Sequence, residues 1–351
     1  IERNYLLKKS IKPLIIIGQG IRQANAIGDL NNLINRLKIP VISSRLGQDI
    51  LPFSNRYNCG HGGMKGSEAT TYIMKEADLI ISIGSRLSIP FVGMKLNAFS
   101  NDSKIIVVDI EKSELLKEGV HIFLPIHGDA KEFLIKLNSK LNSIEKPIIL
   151  PDYSKWMEKC RNKKDKKSLI NFDKKSNPID LYYFVSRLNF LSTEKNIFVS
   201  SAGSSYFVCG QSLSFDKGQR EITSGAFASM GVGVPLAIGS YIADQNSQVL
   251  VVTGDGSIEL NIQELKTISQ YNMNIKVFVI NNGGYVSIRN AQDNLFNGRY
   301  INSEQINDNN ILDFSKVADT FGLKYHLIDD YRIVDKVIKE VMNYNGPSLI
   351  E

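Results

Sequence analysis

The sequence predicts an α/β protein with two Rossmann-like, doubly wound parallel-sheet domains, and three observations carry that prediction. Short unbroken runs of leucine and β-branched residues recur, among them Pro13-Leu14-Ile15-Ile16-Ile17, Leu79-Ile80-Ile81-Ser82-Ile83 and Val249-Leu250-Val251-Val252. Runs without polar alternation belong to strands buried on both faces, as in a parallel sheet covered by helices. Amphipathic stretches separate them, and Gly, Asp or Ser bounds each run. The alternation lapses once, over about 141–177, and then resumes, dividing 351 residues into two domains of ordinary size.

In the first domain, residues 1–140, Pro13–Ile17 reads as a strand ending at Gly18-Gln19-Gly20. A helical pattern follows through Leu30, Leu33, Ile34 and Leu37. Further strands are expected at Ile39-Pro40-Val41-Ile42, Leu79–Ile83 and Ile105-Ile106-Val107-Val108. Gly18-x-Gly20 after a strand matches two glycines of a dinucleotide fingerprint and lacks the third. Tight-turn glycines with no ligand are the alternative.

Residues 141–177 are rich in Pro, Lys and Asn, with one amphipathic stretch around Trp156, and read as a linker. Between Lys155 and Lys175 stand nine Lys or Arg against three acids, which accounts for the whole net charge of +6. The rest of the chain is balanced, so no basic face spreads over a domain as nucleic-acid binding requires. A solvated charged run is the simpler account. No apolar run approaches the roughly 20 residues of a membrane helix. Cys59, Cys160 and Cys209 lack CxxC spacing, and the four histidines form no HExxH pair. That excludes a disulfide framework or a zinc site and points to a reducing cytoplasm.

The second domain, residues 178–351, carries strands at Ile197-Phe198-Val199, Val249–Val252 and Lys276–Ile280. A late helical pattern runs through Val334, Val337, Ile338 and Val341. The chain begins without Met and stops inside what reads as a last strand, Ser348–Glu351, so truncation at the C-terminus is expected.

The chemistry concentrates between Val249 and Tyr285. One strand ends in Gly254-Asp255-Gly256-Ser257, a helix follows with Leu260, Leu265 and Ile268 as apolar anchors, and the next strand ends in Asn281-Asn282-Gly283-Gly284. A strand, helix and strand at this spacing form one right-handed crossover, so Asp255 and Asn282 emerge at the same sheet edge. Open α/β sheets bind ligands at that edge. Mg²⁺ takes hard oxygen ligands and shares them with phosphates, and a carboxylate, a carboxamide and a backbone carbonyl suit it. The flanking glycines let phosphate approach the backbone, and a helix N-terminus favours an anion. Each half alone is also a helix cap or a turn; together on adjacent buried strands they make a metal site.

The motif Gly254-Asp255-Gly256-Ser257, then Asn281-Asn282 about 25 residues on, resembles the fingerprint of thiamine diphosphate enzymes. Thr223-Ser224-Gly225-Ala226-Phe227-Ala228-Ser229-Met230-Gly231 and Asn261-Ile262-Gln263-Glu264-Leu265 are similar to the acetolactate (acetohydroxyacid) synthase group. Gly18-Gln19-Gly20-Ile21-Arg22, Ile83-Gly84-Ser85-Arg86 and Gly128-Asp129-Ala130 resemble that group's middle domain. The resemblance implies that Asp255, Asn282 and the Gly284 carbonyl hold Mg²⁺. It implies that Gly203, Ser204 and Ser205, with Gly254, Gly256 and Ser257, bind the diphosphate of thiamine diphosphate. Met230 matches the residue beneath the bent cofactor, and the Ala228 carbonyl the acceptor for its 4′-amino group. Arg86, Ser43, Gly63, Met64 and Asp129 match positions that contact FAD, but Lys65 replaces a His and Leu87–Phe91 lacks the usual Asp-Asp-Arg. FAD is thus one expectation, and ADP or no ligand the other.

The implied activity is that of a transferase with a lyase half-reaction. It decarboxylates a 2-oxo acid such as pyruvate and passes the two-carbon unit to a keto acceptor. A keto-sugar nucleotide acceptor, or a non-catalytic cofactor-binding module, are the alternatives. Val286 and Ala291 stand where the synthases carry a Gly and a Trp that shape the acceptor pocket. The glutamate that activates the cofactor belongs to a pyrimidine-binding domain expected upstream of Ile1, so no catalytic residue is assigned here and this stretch alone is expected to be inactive. The expected partners are a small 2-oxo acid and a second subunit, in a homodimer or tetramer, with neither nucleic acid nor membrane.

Overall fold

The computed structural model describes residues 2–64, 66–96, 99, 102–142, 149–167, 175–216, 218–303 and 312–351. Lys65 lies outside them. The chain forms two compact units, Ile1–Leu169 and Ile170–Glu351.

The first unit is built on six parallel strands: β1 (Pro13–Ile17), β2 (Val41–Ser43), β3 (Asn58–His61), β4 (Leu79–Ile83), β5 (Lys104–Asp109) and β6 (Leu124–His127). Their order is β3-β2-β1-β4-β5-β6, all parallel, which is a doubly wound sheet of the class the apolar runs predict. Every residue of β1 and β4 is buried, because helices cover both faces. The helix Ile27–Leu37 turns Leu30, Leu33, Ile34 and Leu37 inward, a three-four spacing that makes one apolar stripe.

The strand order reverses between β1 and β4, and there the chain is packed backbone to backbone. The Gly20 N–H donates to the Gly84 carbonyl at 3.0 Å. A Cβ on Gly18 would stand 2.3 Å from that carbonyl oxygen, and one on Gly20 2.7 Å from the Gly84 Cα. Close approach of two turns accounts for both glycines without a ligand.

Where the sequence reads as a linker over 141–177, the structure has a helix, Ser154–Lys167, that belongs to the first unit. Trp156, Met157 and Cys160 lie in that unit's core. The Trp156 indole donates to the Pro13 carbonyl at 2.9 Å, and the Tyr153 hydroxyl to the Leu7 carbonyl at 2.6 Å. Part of the basic run is likewise engaged: the Lys164 ammonium donates to the Phe53 and Asn58 carbonyls at 2.9 Å each.

The second unit repeats the architecture with β7 (Asn196–Ser200), β8 (Arg220–Ile222), β9 (Gln248–Gly254), β10 (Ile275–Ile280), β11 (Lys324–His326) and β12 (Ser348–Ile350). The order is β11-β12-β10-β9-β7-β8, again all parallel. Successive side chains alternate between two cores. Val249, Val251, Val277 and Val279 pack on one face, and Leu250, Val252 and Phe278 on the other. The helix Val334–Asn343 buries Val334, Ile338 and Val341, as the pattern predicts.

One expected anchor is corrected. Leu260 is 56% exposed, whereas Ile258, Leu265 and Ile268 are buried. The segment after β9 is not one helix. A 3₁₀ turn at Glu259–Asn261 separates Asp255–Ile258 from Glu264–Gln270, and the change of pitch rotates Leu260 off the buried stripe.

Candidate cofactor and metal site

The site stands at the carboxyl edge of the second sheet, where the order reverses between β7 and β9. Gly254 is in register with Ile280, so Asp255 and Asn282 leave the sheet together, as the crossover argument requires. Ser200 is in register with Val252, which brings the helix Gly203–Ser212 to the same edge. Gly203 itself has φ +58, a left-handed turn that glycine takes without strain.

Asp255 is 5% exposed. Its Oδ1 accepts from the Gly256 N–H at 2.8 Å and its Oδ2 from the Gly284 N–H at 2.7 Å. Among the described residues no Lys, Arg or His reaches its carboxylate, so a buried charge is met by backbone dipoles alone. Buried charges are ordinarily paired or bound to metal. Glu259 adds a second negative group nearby; burial, with the Asp255 charge, raises its carboxyl above the usual range.

The two asparagines after β10 have different fates. The Asn281 amide donates to the Glu351 carboxylate at 2.7 Å, while the Asn282 side chain is exposed and makes no hydrogen bond to the described residues. The Gly284 carbonyl accepts from the Val286 N–H at 3.0 Å, which leaves its second lone pair. A free carboxamide, a buried carboxylate and a carbonyl on one edge form an oxygen donor set that fits Mg²⁺ completed by phosphate. No group of three or more His, Cys, Asp or Glu able to hold a metal occurs among the described residues, so an all-protein cage is not built here.

The segment after β8 meets the turn that carries Asp255. Ala228 has φ +43, a left-handed conformation rare outside glycine, and Met230 is 37% exposed. The Gly231 N–H donates to the Ser257 hydroxyl at 3.1 Å, and Ser257 Oγ lies 2.8 Å from Ser201 Oγ. Ser257 thus ties β7, the Gly254–Ser257 turn and the 228–231 loop together. The Ser205 hydroxyl donates to the Ala202 carbonyl at 2.7 Å, and Ser204 is half-buried at the helix start. The Thr223 hydroxyl, one residue past β8, is buried and has no partner among the described residues, a donor that a ligand at this edge would satisfy.

Two residues here carry no sequence signal. The Tyr285 ring covers Gly256, and Arg289 donates to the carbonyls of Asn282, Gly283 and Ser303.

In the first unit, Ser43 ends β2, Gly63 and Met64 follow β3, Arg86 follows β4 and Asp129 follows β6, so these five share one carboxyl edge. Protein partners occupy the charged pair. Arg86 bonds Glu114 at 2.9 Å, and Asp129 caps the helix Ala130–Leu141 through the Lys131 and Glu132 N–H groups. Gly63 has φ +115, Met64 is 56% exposed, and the Met64 N–H donates to the Pro90 carbonyl at 2.8 Å. Arg86 is 71% exposed in that pair, which a ligand phosphate at this edge can replace at small cost.

Two family models match the chain. Residues 4–137 match the central domain of thiamine pyrophosphate enzymes, and residues 201–351 their C-terminal thiamine pyrophosphate binding domain. The chain belongs to the thiamine pyrophosphate enzymes. It is 30% identical over 346 residues to an acetolactate synthase large subunit of Porphyra purpurea, covering 99% of this chain and 57% of that protein. A probable acetolactate synthase large subunit of Methanococcus aeolicus is 30% identical over 361 residues, with 99% and 58% covered. One from Buchnera aphidicola is 32% identical over 320 residues, with 90% and 54% covered. The chain thus spans a little over half the length of these relatives. No helix among the described residues is long and apolar enough to cross a membrane.

Proposed function

We propose that this chain supplies the diphosphate and Mg²⁺ half of a thiamine diphosphate-dependent carboligase site of the acetolactate synthase type. The observation that carries the reading is Asp255, a buried carboxylate that no Lys, Arg or His among the described residues reaches, beside the exposed Asn282 amide and the Gly284 carbonyl. Asp255, Asn282 and Gly284 would hold the ion. Gly203, Ser204 and Ser205, with Gly254 and Gly256, would receive the diphosphate. Ser257 would hold the turn in place, and Ala228 and Met230 would orient the bound cofactor. When bound, thiamine diphosphate supplies the carbanion chemistry by which a 2-oxo acid loses CO₂ and passes its acyl carbon to a carbonyl acceptor. The relatives' name, acetolactate synthase, supports a carboligation that yields acetolactate; pyruvate as donor, a keto acceptor, and a homodimer or tetramer in the cytoplasm belong to this proposal.

Calorimetric titration of thiamine diphosphate with Mg²⁺ tests the metal assignment. Asp255→Ala removes the one negative ligand and Asn282→Ala a neutral one, so both should weaken binding, the first more. Unchanged affinity in both variants refutes the site. The FAD reading rests on the resemblance alone, and no step is routed through a flavin. Purified protein without flavin absorbance, and with no uptake of added FAD, disposes of it.

A further inference from the structure

We propose that Arg289 is a positioning residue for the metal loop, fixing the backbone of Asn282–Gly284 so that the loop accepts a small divalent ion. The inference rests on the Mg²⁺ reading above and deepens it.

The loop that joins β10 to the helix Val286–Phe296 has Gly283 at φ +80 and Gly284 at φ +91. Two successive glycines in the left-handed region adopt it without strain, and for the same reason do not hold it. Something outside the loop must. On one side the Gly284 N–H is bound to Asp255 Oδ2. On the other stands Arg289, in the first turn of the helix. Its Nη1 donates to the Gly283 carbonyl and to the Ser303 carbonyl, each at 2.6 Å, and its Nη2 to the Asn282 carbonyl at 3.2 Å.

Among the described residues no carboxylate pairs with this guanidinium, so its charge is directed at three carbonyl dipoles. That is unusual for an arginine beside a carboxylate-bearing site, and it has a geometric result. Of the three loop carbonyls, those of Asn282 and Gly283 are engaged by the guanidinium, and that of Gly284, bound once by the Val286 N–H, keeps a lone pair. The planar fork, with five donors in fixed directions, spans carbonyls on two segments at once; a lysine ammonium offers a single point. Through Ser303 the same fork ties down the chain beyond the helix, where the Ser303 hydroxyl also bonds the Gln292 side chain.

A positioning role and a simple charge effect predict opposite signs. A cation near a Mg²⁺ site repels the ion, so removing the Arg289 charge would tighten Mg²⁺ binding if electrostatics alone mattered. If Arg289 positions the loop, its removal weakens binding. Residues that orient metal ligands typically contribute 10–100-fold in affinity, so a loss of about tenfold or more is expected. The loss should be smaller for Ca²⁺, which tolerates longer and less regular coordination than Mg²⁺.

The experiment titrates Mg²⁺ and Ca²⁺ into the full-length protein at saturating thiamine diphosphate, following calorimetric heat, for wild type, Arg289→Ala, Arg289→Lys and Asp255→Ala. Thermal unfolding confirms the fold of each, and the Lys variant carries the comparison should the Ala variant not fold. The expected result is loss of Mg²⁺ binding in Asp255→Ala. Both Arg289 variants should bind Mg²⁺ at least about tenfold more weakly, with reduced preference for Mg²⁺ over Ca²⁺. Equal or tighter Mg²⁺ binding in Arg289→Ala, or full retention in Arg289→Lys, overturns the positioning role while leaving the metal site standing. Mg²⁺ binding retained by Asp255→Ala overturns the parent reading, and this one with it.

Discussion

Gly256→Ala tests the packing of the candidate site through a single methyl group. An ideal Cβ at 256 would stand 2.6 Å from Tyr285 Cε1, 3.1 Å from Cζ and 3.2 Å from Cδ1. Carbon atoms prefer about 3.5–4.0 Å, so the ring must retreat by about 1 Å. Gly256 lies in the helical turn Asp255–Ile258 and is not among the positive-φ glycines, so alanine suits its backbone and the effect is steric. Overpacking of this kind costs about 1–3 kcal/mol. Tyr285 follows Gly283 and Gly284 directly, so its displacement falls on the metal loop. If all of that cost falls on binding, thiamine diphosphate affinity at saturating Mg²⁺ drops about 5- to 150-fold. The assay is calorimetric binding on Gly256→Ala, Tyr285→Ala and the double variant, with thermal unfolding of each. Removing the ring removes the clash, so the double variant should bind no worse than Tyr285→Ala alone, a positive coupling between neighbours. If the double variant shows both losses in full, the methyl acts elsewhere and the steric argument fails.

Two further predictions concern the scaffold. Trp156→Ala should destabilise the first unit by about 3–5 kcal/mol, because it empties a buried aromatic site and removes the bond to Pro13. The exposed control Lys155→Ala should stay within about 0.5 kcal/mol. Urea unfolding followed by circular dichroism decides, and equal effects would mean that Ser154–Lys167 is not docked. Lys276 is buried in β10 with its ammonium on the Tyr344 and Gly346 carbonyls, and burial, with the Lys324 charge, pushes it down to about 7. The folded value lies below that of the unfolded chain, so the unfolded chain binds more protons between about pH 7 and 10. Stability therefore rises with pH across that window, by up to about 1.4 kcal/mol per unit, and is level below it. Lys276→Met should lose that slope in urea unfolding between pH 6 and 10; identical slopes refute the assignment.

The part of the fold legible in the sequence is its interior. Every strand with neighbours on both sides in the first sheet, β2, β1, β4 and β5, stands out as an apolar run, and so do β7, β9, β10 and β12 in the second. The four strands that do not are β3, β6, β8 and β11, and each is a sheet edge. An edge strand is covered on fewer sides, so its side chains need not be apolar: Asn58-Cys59-Gly60-His61 and Arg220-Glu221-Ile222 show it. The helix Ser154–Lys167 hid for a related reason. Of its described side chains Trp156, Met157 and Cys160 meet the core, while Lys159 and Lys164 work through their ammonium tips, so composition resembles a solvated run.

The candidate site divides along the same physical line. Asp255 and Asn282 are legible because their chemistry lies in side chains and their meeting follows from strand register, which the apolar runs already specify. Arg289 and Tyr285 are not, because their partners are main-chain carbonyls and a missing Cβ. A carbonyl has the same chemistry in every residue, so an arginine that binds carbonyls leaves no complementary letter in the sequence, whereas one that binds a carboxylate does. Ser257 is an intermediate case. Its place beside Asp255 marks it as part of the motif, yet its hydroxyl is spent on Ser201 and Gly231, two loops whose approach only the folded sheet brings about. Groups that meet a ligand through side chains are therefore readable from the motif, while the groups that hold the motif in shape become visible only once the backbone is placed. For that reason the variants at Arg289, Tyr285 and Gly256 test the structure, where those at Asp255 and Asn282 test the motif.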